Sequence, residues 1–198
     1  MRDTRRSSWT SADVPRAIGL LRAVNVGGRV LPMQHLRELL SELGYVEPTT
    51  LLQSGNVVFG FVPGAPAERA SEIEARIEAQ LLTRLSLQSD VFVRSPDEWD
   101  DIVAKNPFPR EAEADPAHLL LMTLRAAPAE AVVAALRRVV KGRETMAAWG
   151  RHLYIVYPDG VGRSTLTGGV IERALGTRGT ARNWNTVLKL AALARAWR

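Results

Sequence analysis

The 198-residue chain contains no cysteine. Disulfides, thiol nucleophiles, cysteine-ligated zinc and iron–sulfur clusters are thereby excluded. Histidine is scarce: the chain has only His35, His118 and His152, and no two are spaced as ligands of one metal ion. No EF-hand loop occurs; a carboxylate–oxygen Mg²⁺ or Ca²⁺ site stays open in principle, but no metal or other cofactor is expected. No apolar run approaches the ~20 residues that span a bilayer, so no membrane partner is expected. The first fourteen residues (MRDTRRSSWTSADV) lack the apolar core of a secretory signal and read as a disordered arm on a cytoplasmic protein. P-loop, Rossmann, nucleophile-elbow and S-x-x-K patterns are all missing. Lysine is nearly absent as well, with only Lys105, Lys141 and Lys189 among 26 basic residues.

What is present is the composition of a folded chain, 46% hydrophobic and 24% charged, long enough for one or two domains with a real core. The net charge of +5 is unevenly spread. Residues 68–130 carry seven basic and 13 acidic groups, whereas residues 131–198 carry 12 and three. The basic surplus in the C-terminal part points to an anionic partner.

The apolar run 16–24 reads as a buried strand. Met33, Leu36, Leu40 and Leu43 then mark one face of a helix that Gly44 ends. Residues 49–53 and 57–62 read as a hairpin around a three-residue loop, Ser54-Gly55-Asn56. A helix over 66–85, with Ala70, Ile73, Ile77 and Leu81 inward, and a strand over 87–94 complete a β-α-β-β-α-β unit. Ser95 and Glu98 have the spacing of a capping box for a short helix with Pro96 at its first position. Residues 106–116, rich in proline and acid, read as a connection.

The same order then returns: a strand over 117–124, a helix over 128–140 with Val132, Leu136, Val139 and Val140 on one face, and a hairpin of 145–149 and 152–157 about Gly150. A short helix over 166–175, a short strand near 179–182 and a last helix over 183–197, capped by Asn183 or Asn185, follow. The expected fold is therefore α+β, with two ferredoxin-like (α-β plait) subdomains built on antiparallel sheets and a C-terminal helix. Its expected divisions are the arm (1–14), subdomain 1 (15–95), a connecting helix and linker (96–116) and subdomain 2 with the last helix (117–198).

Four segments concentrate glycine, asparagine, serine, threonine and arginine, the residues that offer backbone N–H groups and planar donors to an anion. They are Arg22, Asn25, Gly27 and Gly28 after the first strand, Ser54, Gly55 and Asn56 at the hairpin, Asp159, Gly160, Arg163 and Ser164 before a helix, and Arg182, Asn183, Trp184 and Asn185 at the last helix. Each has a plainer reading: tight turns for the glycines, Asx-type bonds for Asn25 and Asn56, helix caps for Ser164 and Asn183, and core for Trp184. Ser164 would be a nucleophile only with His118 or His152 beside it.

The segments LLRAVNVGG (20–28), LLQSGNVVF (51–59), NPF (106–108), LYIVYPDGVGRSTLT (153–167) and ARNWNTVLKL (181–190) together resemble one family, the domain of unknown function 1697 family of bacterial proteins. The resemblance runs from about Arg16 to the C-terminus. It implies two ferredoxin-like subdomains and names no activity. Its recurring positions fall here on Arg22, Asn25, Gly27, Gly28, Ser54, Gly55, Asn56, Tyr154, Asp159, Gly160, Ser164 and Arg182 to Asn185. Ala23 departs from it, since glycine is usual there; if that glycine admits a ligand to the backbone, Ala23 narrows the approach.

Three functions follow. The first is a small-ligand site at the junction of the subdomains for a phosphate- or carboxylate-bearing molecule, with Arg22, Arg163 and Arg182 pairing the anion; whether a reaction follows is left open. The second is RNA binding by the basic C-terminal half, with sheet-face aromatics as platforms, although no RNP1-like string is present. The third is a structural or interaction role, with the motifs serving interdomain packing.

Overall fold

The computed structural model describes residues 14–25 and 30–196. Gly27, Gly28 and all but the last residue of the expected arm lie outside them. The first apolar run forms β1 (Arg16–Leu21), buried at every position. It is followed by α1 (Met33–Glu42), β2 (Val46–Leu51), β3 (Asn56–Gly60), α2 (Ala70–Leu85) and β4 (Val91–Arg94). The strands form an antiparallel sheet in the order β2-β3-β1-β4. Two helices come next, α3 (Pro96–Ala104) and α4 (Pro109–Ala114). The second unit comprises β5 (Leu119–Leu124), α5 (Glu130–Val139), β6 (Thr145–Trp149), β7 (His152–Val156), α6 (Gly168–Leu175) and β8 (Gly179–Asn183). Its antiparallel sheet has the matching order β6-β7-β5-β8, and α7 (Trp184–Arg195) closes the chain. The fold is thus α+β with two ferredoxin-like subdomains and a C-terminal helix.

Alternation along the strands decides how the units stack, because successive side chains point to opposite faces. In β1, Ala17 and Leu21 face α1 and α2, whose Leu36, Leu40, Ile73, Ile77 and Leu81 complete one core. Ile18 and Leu20 face the other way. In the second sheet, Met122, Leu153 and Ile155 pack against Val133 and Leu136 of α5 and Ile171 of α6. Leu119, Leu121 and Tyr154 point to the opposite face. These two remaining faces share a single core with Trp99 and Ile102 of α3 and with Trp184, Val187, Leu190 and Ala194 of α7. The molecule is therefore five layers deep: helices, sheet, the α3–α7 pair, sheet, helices. The polar tips of the central aromatics find backbone acceptors: Trp99 Nε1 donates to Val187 O at 3.0 Å and Tyr154 OH to Ile102 O at 2.8 Å.

Several boundaries differ from the sequence reading. Asn56 is the first residue of β3, paired with Leu51 and Leu20, so the hairpin loop is the four residues Leu52–Gly55. α2 begins at Ala70 rather than at residue 66; Arg69 N donates to Glu72 Oε2 at 3.0 Å and caps the first turn. The proline- and acid-rich connection holds a helix, α4, because Pro109 sits at its start, where no N–H is needed. On α5, Val133 and Leu136 are buried and Val132 packs against the same core; Val139 is exposed, and Val140, which also packs there, is already extended and outside the helix. Ser95 accepts from Glu98 N as a cap, but the Glu98 carboxylate turns to Arg94 and Arg151 instead of closing a box.

Because the central layer belongs to both sheets, urea denaturation followed by circular dichroism is expected to show one transition for the whole chain. Trp99→Ala, which empties that layer, is expected to cost about 3–5 kcal/mol without splitting the transition. Two separated transitions would contradict the shared core.

Candidate functional site

Three of the four sequence segments converge where the end of β1, the β2–β3 hairpin and β8 meet. Arg182 on β8 is the centre of this cluster. Its Nε donates to Asn56 Oδ1, its Nη1 to Thr180 Oγ1 and Ala181 O (both 2.8 Å), and its Nη2 to Leu21 O at 2.8 Å and Ser54 O at 3.1 Å. All five guanidinium protons are used, and none goes to a carboxylate. Burial lowers the Arg182 pKa to about 10, so the group stays charged at neutral pH. Asn56 is fully buried, and its amide donates to Leu51 O at 3.0 Å and Ser54 Oγ at 2.9 Å. Gly55 has φ +71°, and a Cβ there would lie 2.5 Å from Val24 Cγ2 and 2.7 Å from Leu21 Cβ, so only glycine fits.

Asn25 works in the same local way. It accepts from Leu31 N at 2.7 Å and donates to Leu31 O and Gln53 O, tying its loop to the hairpin tip. Ala23 and Asn25 both have left-handed φ values, +54° and +56°. That gives a backbone reason for glycine at position 23, since an L side chain is strained there. Asn183 caps α7 by accepting from Thr186 N at 3.0 Å, Trp184 is buried in the central layer, and Asn185 is exposed.

Arg22 does not join Arg182. It forms a bidentate pair with Glu172 on α6 (2.9 and 2.8 Å). Around it, oppositely charged side chains bridge the two units. Arg178 reaches Asp90 at 2.9 Å, and Arg125 reaches Glu74 at 2.6 Å and Glu78 at 2.5 Å. Arg94 is buried and donates to Leu124 O at 2.8 Å and His152 Nε2 at 3.0 Å, with Glu98 at 3.2 Å. Because His152 accepts this bond on Nε2, its ring is the neutral tautomer. Burial, reinforced by the charges of Arg94 and Arg151, lowers its pKa to about 3.

The fourth segment stands apart and stays open. The 3₁₀ turn Val161–Arg163 follows Gly160 (φ +84°), and the loop faces residues 141–144 across a cleft of about 280 Å³. Ser164 Oγ donates to Glu144 and accepts from Leu166 N at 2.9 Å; no histidine takes its proton. Arg143, 74% exposed, pairs with Asp159 at 3.0 Å. Lys141 and Arg163 are exposed and make no side-chain hydrogen bond among the described residues. None of the side-chain bonds of residues 158–164 reaches the other three segments. Sequence reasoning missed Lys141, Arg143 and Glu144; a charged, glycine-bearing loop one hairpin before the motif was the available signal. Asp90, Glu172 and Arg178 gave no signal, because their pairing is made only by the stacking of the two units. Among the described residues, no cluster of three metal-ligating side chains occurs, and no helix is long and apolar enough to cross a membrane. Tyr154 and Trp184 are buried and both sheets are covered on both faces, so neither sheet offers the aromatic platform of the RNA reading.

Two outcomes follow. Arg182→Ala leaves acceptors on both sides of the junction unpaired and is expected to cost about 3 kcal/mol, with Arg182→Lys recovering only part because an ammonium cannot span them; chemical denaturation measures both. The neutral His152 makes the fold acid-sensitive. Below pH ~6.5 the unfolded chain takes up a proton that the fold refuses down to about pH 3. Its contribution is intact above pH ~6.5 and is lost as the pH falls through that window, by up to ~1.4 kcal/mol per pH unit. His152→Gln, which can still accept from Arg94, is expected to flatten the slope of stability against pH between 6 and 4.

Comparison with known proteins agrees with this architecture. A solved structure, the conserved bacterial protein SP0830 from Streptococcus pneumoniae, superposes with a TM-score of 0.72 at 16% identity, covering 92% of this chain and 99% of that one. At that identity the likeness shows the fold alone. No curated protein matches the chain. The model of the family described as "Protein of unknown function (DUF1697)" matches residues 14–154, well over half of the sequence, and the chain belongs to that family.

Proposed function

We propose that the chain binds a small ligand through a phosphate or carboxylate group in the cleft between residues 141–144 and 157–165. One observation carries this reading: of the four polar segments, this is the one whose cations the fold leaves unspent. Lys141 and Arg163 have no acceptor among the described residues, and exposed Arg143 has only Asp159. Arg182, by contrast, gives every N–H to a protein acceptor, and Arg22 gives Nε and Nη2 to Glu172. The proposed site therefore lies within the second unit rather than at the junction. Arg163 and Lys141 would pair the anion, and the left-handed turn at Gly160 shapes the loop beside it.

The motifs at Arg22, Ser54–Asn56 and Arg182 support a second reading, in which they orient the two units. The bonds from Arg182 to Leu21 O and Ser54 O favour it.

Calorimetric titration with inorganic phosphate and with phosphorylated and carboxylated small molecules tests the cleft. Arg163→Ala, a change at an exposed side chain, is expected to weaken binding about tenfold, near the lower end for a charged hydrogen bond, at unchanged thermal stability. Unchanged affinity in that variant would remove the cleft from consideration. Binding confined to polynucleotides, with a steep salt dependence, would replace the small anion by nucleic acid.

A further inference from the structure

A concavity larger than that cleft lies at the junction. It is a groove of about 660 Å³ bounded by α2, the loop before β4, and α6 with the loop that follows it. That volume is within the range of small-molecule sites. One wall is apolar: Ala75, Ala79 and Leu82 lie four and three residues apart on the outer side of α2, and Leu82 is 54% exposed.

The facing wall carries Arg22, Asp90, Glu172 and Arg178, Glu78 stands among the apolar residues of α2, and each sign of charge keeps unused valence. Arg22 gives Nε and Nη2 to Glu172, which leaves Nη1 3.9 Å from Asp90 Oδ2 and without a hydrogen bond among the described residues. Arg178 holds Asp90 through Nη1 alone, so its Nε and Nη2 have no acceptor among the described residues. Glu78 uses Oε1 for Arg125 and Val91 N, and its Oε2 accepts nothing there. The groove thus offers guanidinium donors, one carboxylate oxygen and an aliphatic strip together.

A lone anion would meet Asp90 and Glu172 beside the arginines, and a lone amine would meet the arginines beside Glu78. A molecule with both charges satisfies both, and an aliphatic body covers the α2 wall. We infer that this groove is a second site, distinct from the 141–165 cleft, for a zwitterion of the dipeptide class with aliphatic side chains. Its carboxylate would pair Arg22 and Arg178, its ammonium would pair Glu78, and its side chains would lie along Ala75, Ala79 and Leu82.

The test uses the full chain and the probes Leu-Leu, N-acetyl-Leu-Leu and Leu-Leu-amide in calorimetric titration. Leu-Leu is expected to bind, and loss of either terminal charge to weaken it at least tenfold. Ala79→Trp, at an exposed helix position, fills the groove and is expected to abolish binding with the unfolding midpoint unchanged. Arg178→Gln, at a side chain 66% exposed, is expected to weaken binding several-fold. No heat from Leu-Leu above ~1 mM, equal binding of the three probes, or full affinity in a folded Ala79→Trp variant would each overturn the assignment. Neither variant touches residues 141–165, so the response to phosphate is read independently.

Discussion

Each ferredoxin-like sheet has its own helices on one face only, and the other face is apolar. Ile18, Leu20, Val58 and Phe92 on one sheet, and Leu119, Leu121, Tyr154 and Val156 on the other, all have to leave water. One pair of helices, α3 and α7, covers both. This sharing turns two small sheets into one body. It also explains why the stretch between the units is no passive linker: α3 supplies Trp99 and Ile102, both fully buried, to a core that belongs to neither sheet alone.

Around that dry centre the charged groups are arranged by what the stacking requires. Arg22, Arg94, Arg125, Arg151 and Arg178 meet Glu74, Glu78, Asp90, Glu98 and Glu172, largely from opposite sides of the junction. Glu74 is buried, and leaving its charge without Arg94 and Arg125 would be costly, so its pair with Arg125 penalises any other alignment of the sheets, while the more exposed pairs add little. Arg182 acts without a counter-ion, spreading five donors over acceptors that lysine could not span. In this junction the excess of arginine over lysine has a geometric use.

Much of this was legible in residue order. The apolar run of β1, the stripe Ile73–Ile77–Leu81 and the hairpin about Gly150 each follow from local sequence pattern, and together they set the plait order twice. The plain readings of Asn56, Asn183 and Trp184, as local bonding, cap and core, also follow from residue type and neighbours. Glu74 was harder. It shares a helix face with Ile77 and Leu81, yet it is buried because Val93 N and Arg125 come to it, and Arg125 lies 51 residues away. The roles of Arg22 and Arg182 were hidden for the same reason. An arginine in a polar motif reads as an anion receptor until the stacking of the two units supplies Glu172 for one and two main-chain carbonyls for the other. The 158–164 loop was found from its glycines, but its basic partners on the preceding loop come near only through the β6–β7 hairpin.

α7 packs against β1 and β3 of one sheet and β5 and β8 of the other. It is also the last of these elements to be synthesised. Until residues 184–195 have been made, neither sheet can shield its second face, however well its strands have paired. Completion of the fold therefore waits for α7 rather than for the pairing of the second sheet. A nascent chain stalled after β8 would display two apolar sheet faces at once, a state that favours holding by chaperones and pairing with other chains.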